Sequence, residues 1–422
     1  MEKMVIEGGR RLEGTVEISG SKNATLPILA SCILLEGKSY IENIPDLTDV
    51  KTLCLILKGL GLKIDYETKN SITVNVEDES DITTPYEHVR KMRGSICVLG
   101  PLLGKRKEAQ ISLPGGCVIG NRTIDLHIKG LKALGAQITL KNGNIVATAS
   151  KLKGTEIDLA GPYGPTVLGT CNILMAAVLA EGRTTITNAA REPEVQDTAN
   201  FLNMAGAKIQ GIGESTITID GVKELKGVRY KIIPDRIEAG TFMVAGAITK
   251  GNIVLKNACL GDLTAIINSL KEIGVKIENN ENGECRVTGT EQFNNIDINT
   301  LPYPGLPTDM QAQITALLAT VKGKSVVTEN IFPDRFMHTF ELARMGANII
   351  VERNSAIING VDSLCGAGVM ASDLRASASL ILAGLAAKGT TEVDRLYHID
   401  RGYEKIEEKL TALGARLKRV KY

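Results

Sequence analysis

The chain has no tryptophan, few aromatic residues and almost no net charge. Aromatic residues make up 4% of its 422 residues, and 49 basic side chains nearly balance 48 acidic ones. Surfaces that bind nucleic acids or membranes need clustered positive charge, and single-stranded nucleic acids also need aromatic rings on which bases stack. The composition therefore predicts no nucleic-acid partner and no membrane partner.

Patterns typical of metal sites are missing as well. The four histidines are scattered, and no C-x-x-C pair occurs among the eight cysteines. Without ligand spacing of that kind we expect no metal and no cofactor. The first residues lack an apolar signal-peptide core, and unclustered cysteines are typical of a reducing compartment. The sequence therefore predicts a cytoplasmic protein.

What the sequence does contain is an internal repeat. Six segments share a helix end, a glycine in fifth place and a following alternating strand, and they start at Leu57, Leu131, Leu202, Leu270, Leu342 and Leu410. The glycine should adopt the left-handed conformation that ends a helix. A more apolar helix, a glycine turn and a short strand precede each segment. The pattern predicts six α/β units of about 70 residues each.

The length of the chain predicts two domains, because one core rarely serves so many residues. We predict three units in each domain. The first domain would span residues 22–233 and the second residues 1–21 together with 234–422, since the repeat is interrupted near 226–234. In each unit the first helix is apolar nearly all round and should be buried, whereas the second should lie nearer solvent.

A glycine-rich loop carries the most informative cysteine. From Leu113 to His127 the chain reads L-P-G-G-C-V-I-G-N-R-T-I-D-L-H, which is typical of a hinged, exposed loop. Arg122 follows Cys117 closely enough to lower the pKa of its thiol. Apolar runs surround four other cysteines and predict burial for them: Cys32, Cys54, Cys97 and Cys171. A spectator cysteine in an ordinary turn is the alternative, but we favour a nucleophile or acid at Cys117.

Polar clusters precede three of the buried helices. S-G-S-K-N-A-T from Ser19 suits a phosphate seat at a helix start, although a solvated loop explains it equally well. T-D-M-Q has capping-box spacing and predicts a cap at Thr308 with Asp309 in the first turn. Ser372 is expected to cap the last buried helix in the same way. Arg375 would then lie near the positive helix end, which is unfavourable unless an anion is close.

Five cations complete the set of candidate binding residues. Any one of them alone is typical of a surface charge. Together they could bind a doubly anionic substrate, because arginine pairs well with carboxylates and phosphates. The five are Lys22, Arg93, Arg122, Arg375 and Arg401.

These motifs resemble those of the enolpyruvyl transferases along the whole chain. The matching motifs include the cysteine loop, S-G-S-K-N-A at Ser19, M-R-G-S at Met92, P-T-D-M-Q-A-Q at Pro307, R-F-M-H at Arg335, D-L-R-A-S-A-S-L at Asp373 and Y-H-I-D-R-G-Y-E at Tyr397. The resemblance implies an inside-out α/β barrel fold, with two domains of three βαβαββ-like units and an active site in the cleft between them. It also implies transfer of the enolpyruvyl group of phosphoenolpyruvate to the 3-hydroxyl of UDP-N-acetylglucosamine, the first committed step of peptidoglycan synthesis.

The resemblance further implies a role for each site residue. Cys117 would protonate the methylene carbon of phosphoenolpyruvate and can bond to it, and Asp309 would be the base near the sugar hydroxyl. Phosphoenolpyruvate would be held by Lys22, Asn23, Arg122 and Arg401, with Asp373 and Arg375 nearby. The nucleotide sugar would contact Arg93, Arg122, Thr123, Ile124, Asp125, Leu126, Asp309 and Ile331. The implied catalytic set is Cys117, Asp309, Lys22 and Arg401.

One segment departs from the family pattern. Between Pro165 and Ala177 the chain reads P-T-V-L-G-T-C-N-I-L-M-A-A, where the family usually shows S-V-G-A-T before the helix. Thr166 keeps a hydroxyl, but Leu168 replaces a glycine, which puts contacts to the nucleotide phosphates in question. Two alternatives therefore stay open: transfer to another acceptor such as shikimate-3-phosphate, and a catalytically weak, regulatory paralogue.

Overall fold

A computed structural model describes residues 2–115, 123–279 and 284–421, so the predictions for Cys117 and Arg122 fall outside it. The α-helices are α1 (Lys22–Ser31), α2 (Thr48–Gly59), α3 (Tyr86–Val89), α4 (Leu99–Arg106), α5 (Asp125–Ala133), α6 (Val167–Ala177), α7 (Pro193–Met204), α8 (Arg236–Ile248), α9 (Thr264–Ile273), α10 (Gln311–Leu318), α11 (Met337–Arg344), α12 (Leu374–Ala386) and α13 (Ile406–Ala412). Short 3₁₀ helices span Cys32–Leu34, Arg93–Val98, Leu260–Leu263, Thr308–Met310 and Leu396–Arg401.

The β-strands are short and amphipathic. They are β1 (Glu2–Glu7), β2 (Glu13–Glu17), β3 (Leu35–Glu36), β4 (Ser39–Glu42), β5 (Leu62–Thr68), β6 (Ser71–Val76), β7 (Glu108–Ser112), β8 (Gln137–Lys141), β9 (Asn144–Thr148), β10 (Glu156–Asp158), β11 (Arg183–Thr187), β12 (Lys208–Gln210), β13 (Thr216–Asp220), β14 (Leu225–Lys226), β15 (Arg229–Lys231), β16 (Asn252–Lys256), β17 (Lys276–Asn279), β18 (Cys285–Thr288), β19 (Ile298–Asn299), β20 (Lys324–Thr328), β21 (Asn348–Glu352), β22 (Ser355–Asn359), β23 (Gly368–Met370), β24 (Thr390–Asp394) and β25 (Arg416–Lys421).

The described residues form two compact units. The first unit comprises residues 20–115 and 123–233, and the second unit comprises residues 2–19, 234–279 and 284–421. Strands β1 and β2 belong to the second unit because they pair with strands from much later in the chain. Strand β2 runs parallel to β16, and β1 lies between β24 and β25.

Each unit carries three sheets built on one plan. The first unit has the strand orders β15-β4-β6-β5, β7-β9-β8 and β10-β11-β13-β12, and a short β14-β3 pair. The second unit has β17-β18-β16-β2, β19-β20-β22-β21 and β23-β24-β1-β25. In every four-stranded sheet one edge strand is parallel to its neighbour and the other pairings are antiparallel. The three-stranded sheet has a single parallel bridge, Thr83 to Gln110, at the corresponding edge.

Helices fill the centre of each unit, which gives the inside-out arrangement. Nearly every residue of α1, α4 and α6 in the first unit, and of α8, α10 and α12 in the second, is buried. Their apolar sequences explain this, since a helix that is apolar all round has no face suited to water. The second helix of each unit, such as α9, buries one face only. Both predictions of helix burial are confirmed.

The repeated glycine ends its helix as predicted. At Gly346, which follows α11, φ is +91°, a conformation that side chains with a Cβ rarely adopt. The equivalent glycines of the other five units also have positive φ: Gly61, Gly135, Gly206, Gly274 and Gly414. The repeat that was read from the sequence is therefore a structural repeat.

Two features are missing from the described part of the chain. No helix there is long and apolar enough to cross a lipid bilayer. Residues 2–115, 123–279 and 284–421 also contain no cluster of three or more histidine, cysteine, aspartate or glutamate side chains able to hold a metal ion.

Candidate active site

Asp309 lies at the centre of a charged cluster in the second unit. It belongs to the 3₁₀ turn Thr308–Met310, which leads into α10. Arg335 Nη1 donates a hydrogen bond to Asp309 Oδ1 at 2.9 Å, and Arg375 Nη2 donates to Asp309 Oδ2 at 2.8 Å. The two arginine side chains are 6% and 2% exposed, whereas the Asp309 side chain is 26% exposed. The carboxylate is therefore the accessible member of this cluster.

The two arginines control the charge of Asp309. Burial raises the pKa of this carboxyl group, but the charges of Arg375 and Arg335 outweigh burial and hold the pKa well below its usual range. Burial in turn lowers the pKa of Arg375, and the charge of Asp309 more than reverses that effect. Asp309 is thus a carboxylate at neutral pH, able to accept a hydrogen bond from a ligand hydroxyl.

Asp373 closes the cluster from the start of α12. Its Oδ1 accepts hydrogen bonds from the backbone N–H groups of Arg375 and Ala376 at 2.9 and 3.2 Å, and it lies 4.0 Å from Arg335 Nη2. Asp373 is therefore the N-cap of α12, and the cap predicted at Ser372 is wrong by one residue. A carboxylate binds the first N–H groups more strongly than a hydroxyl does, because it is charged.

The cap predicted at Thr308 is also wrong. Pro307 precedes the 3₁₀ turn, and no side chain caps it. The Thr308 hydroxyl instead donates to Glu329 Oε2 at 2.8 Å. The capping-box spacing was misleading here, because the oxygen of this hydroxyl accepts from the charged Arg335 Nη1 at 3.0 Å in place of a helix N–H.

A buried tyrosine, Tyr403, packs against Arg375 and is itself hydrogen-bonded to polar side chains. Its guanidinium carbon lies 5.3 Å from the ring centroid of Tyr403, within cation–π range. The Tyr403 hydroxyl in turn lies 2.8 Å from Thr241 Oγ1 and 3.2 Å from Gln313 Nε2. Arg375 thus lies between Asp309 and the ring of Tyr403, and Tyr403 is itself held by α8 and α10.

The other second-unit candidates lie in two nearby segments. Ile331 follows β20, and its N–H donates to Glu329 Oε1 at 2.8 Å. Arg401 ends the 3₁₀ turn Leu396–Arg401, which packs on α12. Arg419 of β25 fixes that turn through a two-pronged ion pair with Asp400, at 2.6 and 2.9 Å.

In the first unit, Lys22 is the first residue of α1. Its Nζ lies 2.9 Å from Asp49 Oδ2, and both side chains are largely buried, at 10% and 5% exposure. Ser21 caps the helix by accepting a hydrogen bond from the N–H of Ala24. Asn23 follows Lys22 and is half-buried. The structure therefore places a cation at the helix start, where backbone N–H groups also favour anions.

Arg93 approaches the start of α5 in the same unit. It opens the 3₁₀ helix Arg93–Val98, and its Nη2 donates to the backbone carbonyl of Thr123 at 3.1 Å. The Thr123 hydroxyl donates to the Asp125 carboxylate in the first turn of α5. The structure thus brings Arg93 together with the segment that contains Thr123, Ile124, Asp125 and Leu126.

The departing segment forms the start of α6. Thr166 is the N-cap, and its Oγ1 accepts from the N–H of Gly169 at 3.2 Å. Leu168 occupies the first turn and is half-buried. The hydroxyl that the family pattern carries at this position is therefore used here to cap a helix, and the larger Leu168 does not prevent the helix from forming.

The thiols that were predicted to be buried are buried. Burial raises the pKa of Cys32 to about 12, of Cys54 to about 11 and of Cys171 to about 12, and it also raises the pKa of Cys97. Thiols of this kind are poor nucleophiles, because the reactive form is the thiolate.

Two further residues of the cluster were not selected from the sequence. Arg335 binds Asp309 directly, and the R-F-M-H motif was the signal that could have identified it. Glu329 binds Thr308 and the backbone beside Ile331, and no local pattern marked it.

Known proteins are similar to this chain over nearly its whole length. The EPSP synthase (3-phosphoshikimate 1-carboxyvinyltransferase) family matches residues 6–410. A UDP-N-acetylglucosamine 1-carboxyvinyltransferase from Methylacidiphilum infernorum is 53% identical over 420 residues, covering 100% of this chain and 99% of that protein. The chain belongs to the UDP-N-acetylglucosamine 1-carboxyvinyltransferase family. Another member, from Carboxydothermus hydrogenoformans, is 53% identical over 421 residues and is fully covered.

Solved structures agree with this family fold. The enolpyruvyl transferase NikO from Streptomyces tendae superimposes with a TM-score of 0.90 at 24% identity, covering 99% of each chain. EPSP synthase from Acinetobacter baumannii gives a TM-score of 0.78 at 20% identity over both complete chains. At this identity the likeness concerns the fold, and it confirms the predicted α/β carboxyvinyltransferase architecture.

Proposed function

We propose that this carboxyvinyltransferase moves the enolpyruvyl group of phosphoenolpyruvate to the 3-hydroxyl of UDP-N-acetylglucosamine and releases phosphate. This reaction would be the first committed step of peptidoglycan synthesis. The observation that carries the proposal is identity of about half the residues, over the full length, with proteins named for this activity. The cluster around Asp309 supports it with chemistry suited to a hydroxyl substrate.

The reaction needs three proton movements. The sugar hydroxyl adds to C-2 of phosphoenolpyruvate and loses its proton, while the methylene carbon gains one. The adduct then loses a proton from the new methyl group together with phosphate, which restores the double bond. We assign the first proton to Asp309 and the protonation of the methylene carbon to Cys117.

The arginines impose a condition on Asp309 as a base. Because Arg375 and Arg335 lower its pKa, Asp309 binds a hydroxyl well but holds a proton weakly. We infer that the incoming sugar hydroxyl replaces part of an arginine contact, which raises the proton affinity of the carboxylate as the bond to C-2 forms.

The remaining candidates divide between the two anionic ligands. We assign phosphoenolpyruvate to Lys22, Asn23, Arg122 and Arg401, since its phosphate and carboxylate are both anionic. We assign the nucleotide sugar to Arg93, to the segment Arg122 to Leu126, to Asp309 and to Ile331, with Asp373 and Arg375 near phosphoenolpyruvate. The contact between Arg93 and Thr123 supports the second assignment.

Phosphate release is the direct test. With phosphoenolpyruvate present, UDP-N-acetylglucosamine should give phosphate release and a carboxyvinyl product that mass spectrometry identifies. Shikimate-3-phosphate is the alternative acceptor, because the matching family includes the enzyme named for it. Release with shikimate-3-phosphate alone would replace the proposal, and release with neither acceptor would favour the regulatory alternative.

A further inference from the structure

We propose that Glu329 is a positioning residue which, through the Thr308 hydroxyl, sets the orientation of Arg335 and hence of the Asp309 carboxylate. The consequence for turnover rests on the proposed function, because it requires Asp309 to act on the sugar hydroxyl. The physical linkage itself does not depend on that function.

Glu329 is fully buried directly after β20, at 0% exposure. Its Oε1 accepts hydrogen bonds from Thr300 Oγ1 at 2.7 Å and from the N–H groups of Ile331 and Phe332 at 2.8 and 3.0 Å. Its Oε2 accepts from Thr308 Oγ1 at 2.8 Å. A buried carboxylate is costly unless such donors surround it, so this one commits all four donors to fixed positions.

The hydroxyl of Thr308 passes this constraint on to Arg335. A hydroxyl has one hydrogen, and an ionised carboxylate can only accept, so Thr308 must donate to Glu329. Its oxygen is then left to accept from Arg335 Nη1, at 3.0 Å. The same Nη1 donates to Asp309 Oδ1 at 2.9 Å. Arg335 is therefore held by two acceptors, Thr308 Oγ1 and Asp309 Oδ1. The carboxylate of Glu329 determines that the Thr308 hydrogen points away from Arg335.

Glu329 also connects two segments that contain site residues. Through Thr308 it holds the 3₁₀ turn that carries Asp309, and through its backbone contacts it holds the segment that carries Ile331. Since Glu329 is inaccessible to solvent, it can influence a ligand only through these neighbours. This is the arrangement expected of a residue that orders a site without touching its ligand.

The first experiment replaces the hydroxyl and keeps the shape of the side chain. Thr308→Val should lower kcat by roughly 10- to 100-fold, the range expected when a catalytic group is misplaced. KM for UDP-N-acetylglucosamine should change much less. Thr308→Ser keeps the hydroxyl and should restore most of kcat. Thr315→Val is the matched control, because this buried threonine of α10 donates to the carbonyl of Gln311 at 2.9 Å.

The second experiment changes the acceptor. Glu329→Gln keeps the shape but presents an amide, which cannot be charged and can reverse the hydrogen bond to Thr308. We expect a loss of kcat similar to that of Thr308→Val, and no further loss in the double variant, because both act through one linkage. Full activity in Thr308→Val, an equal loss in Thr308→Ser, or losses that multiply in the double variant would overturn the proposal.

A stability measurement separates this proposal from the proposed function. If the wild-type protein releases no phosphate with either acceptor, the proposed function fails, and the linkage is judged from unfolding in denaturant. Thr308→Val and Asp309→Asn should then shift the unfolding midpoint less in combination than the sum of their separate shifts. Additive shifts would show that Thr308 does not act on Asp309 and would overturn the linkage.

Discussion

At the level of single residues, Asp309 belongs to a group of two carboxylates and two guanidinium cations. Arg335 and Arg375 face Asp309 and Asp373, so these four charges cancel one another. This resolves the unfavourable position of Arg375 near the positive end of α12, because Asp309 and the capping Asp373 supply the negative charge. Removal of one member leaves a buried charge unpaired, a change that costs about 3–5 kcal/mol in other buried ion pairs.

The substitution Asp309→Asn tests the proton acceptor. Asparagine keeps the size and can still bind one arginine, but it cannot accept a proton at neutral pH. We expect turnover to fall by at least about 100-fold, more than 2.7 kcal/mol of barrier, while binding of UDP-N-acetylglucosamine weakens much less. Steady-state phosphate release and calorimetric titration measure the two effects. A variant within about tenfold of wild-type turnover would exclude Asp309 as the base.

The sequence identifies a site residue only when the residue lies in a recognisable local motif. Asp309, Asp373 and Arg375 were selected because each lies in a polar group at the start of an apolar helix. Glu329 was not, since its partners Thr300 and Thr308 are brought to it only by the tertiary fold. The caps expected at Thr308 and Ser372 failed for a related reason, because a spacing rule does not include competing carboxylates.

At the level of elements, the repeated helix and glycine signal was predictive because it is local. A helix that is apolar all round, and a glycine where φ must be positive, each have one main physical explanation. The pairing of strands was less predictable. The sequence does not show, for instance, that β15 adds to β4 across almost 190 intervening residues, since such pairings depend on the assembled core.

Gly346→Ala tests the helix-ending glycine. Among the described residues, nothing lies within 4 Å of an added Cβ, so the expected penalty comes from the φ of +91°. We expect the free energy of unfolding to fall by about 1 kcal/mol. Gly261→Ala is the matched control, because its added Cβ also meets nothing within 4 Å and its φ is not positive. Chemical denaturation should show a lower free energy of unfolding for Gly346→Ala and an unchanged one for Gly261→Ala.

The helix α11 contains a buried histidine that makes stability depend on pH. Burial lowers the pKa of His338 to about 4 from an ordinary 6.5, against the opposing charge of Asp373. Because the unfolded chain binds the proton more readily, His338 contributes stability above pH 6.5 that is lost as the pH falls towards 4. The wild-type unfolding midpoint should therefore fall more steeply over this interval than that of His338→Gln. Parallel curves would contradict the assignment.

At the level of the whole molecule, the cysteines differ in their exposure to solvent. Within the described residues, Cys32, Cys54, Cys97, Cys171 and Cys285 are buried, while Cys259 and Cys365 are exposed. Burial raises the pKa of Cys285 to about 11, as it does for the thiols of the first unit. A thiol should react with an anionic electrophile only where nearby cations stabilise its thiolate. The sequence places such a cation, Arg122, close to Cys117.

The epoxide fosfomycin, which mimics phosphoenolpyruvate, is the appropriate reagent. We expect it to alkylate Cys117 and to leave the buried thiols unmodified, because only a thiolate opens the epoxide efficiently. Cys117→Asp should resist the reagent and retain an acid at that position. Peptide mapping by mass spectrometry gives the labelled site. Label on Cys259 or Cys365 with Cys117 unmodified would contradict the mechanism.

The pairing of β1 and β2 has a consequence for synthesis on the ribosome. Val16 of β2 pairs with Leu255, and Met4 of β1 pairs with Val393, whereas each described strand of the first unit pairs with another strand of that unit. As the nascent chain emerges, the first unit can complete its core while these two N-terminal strands still lack partners. The second unit cannot complete the sheet that contains β1 until β24 and β25 have been synthesised. Until then β1 and β2 expose unpaired backbone edges, which are prone to aggregate, so co-translational chaperones are most needed for these two strands.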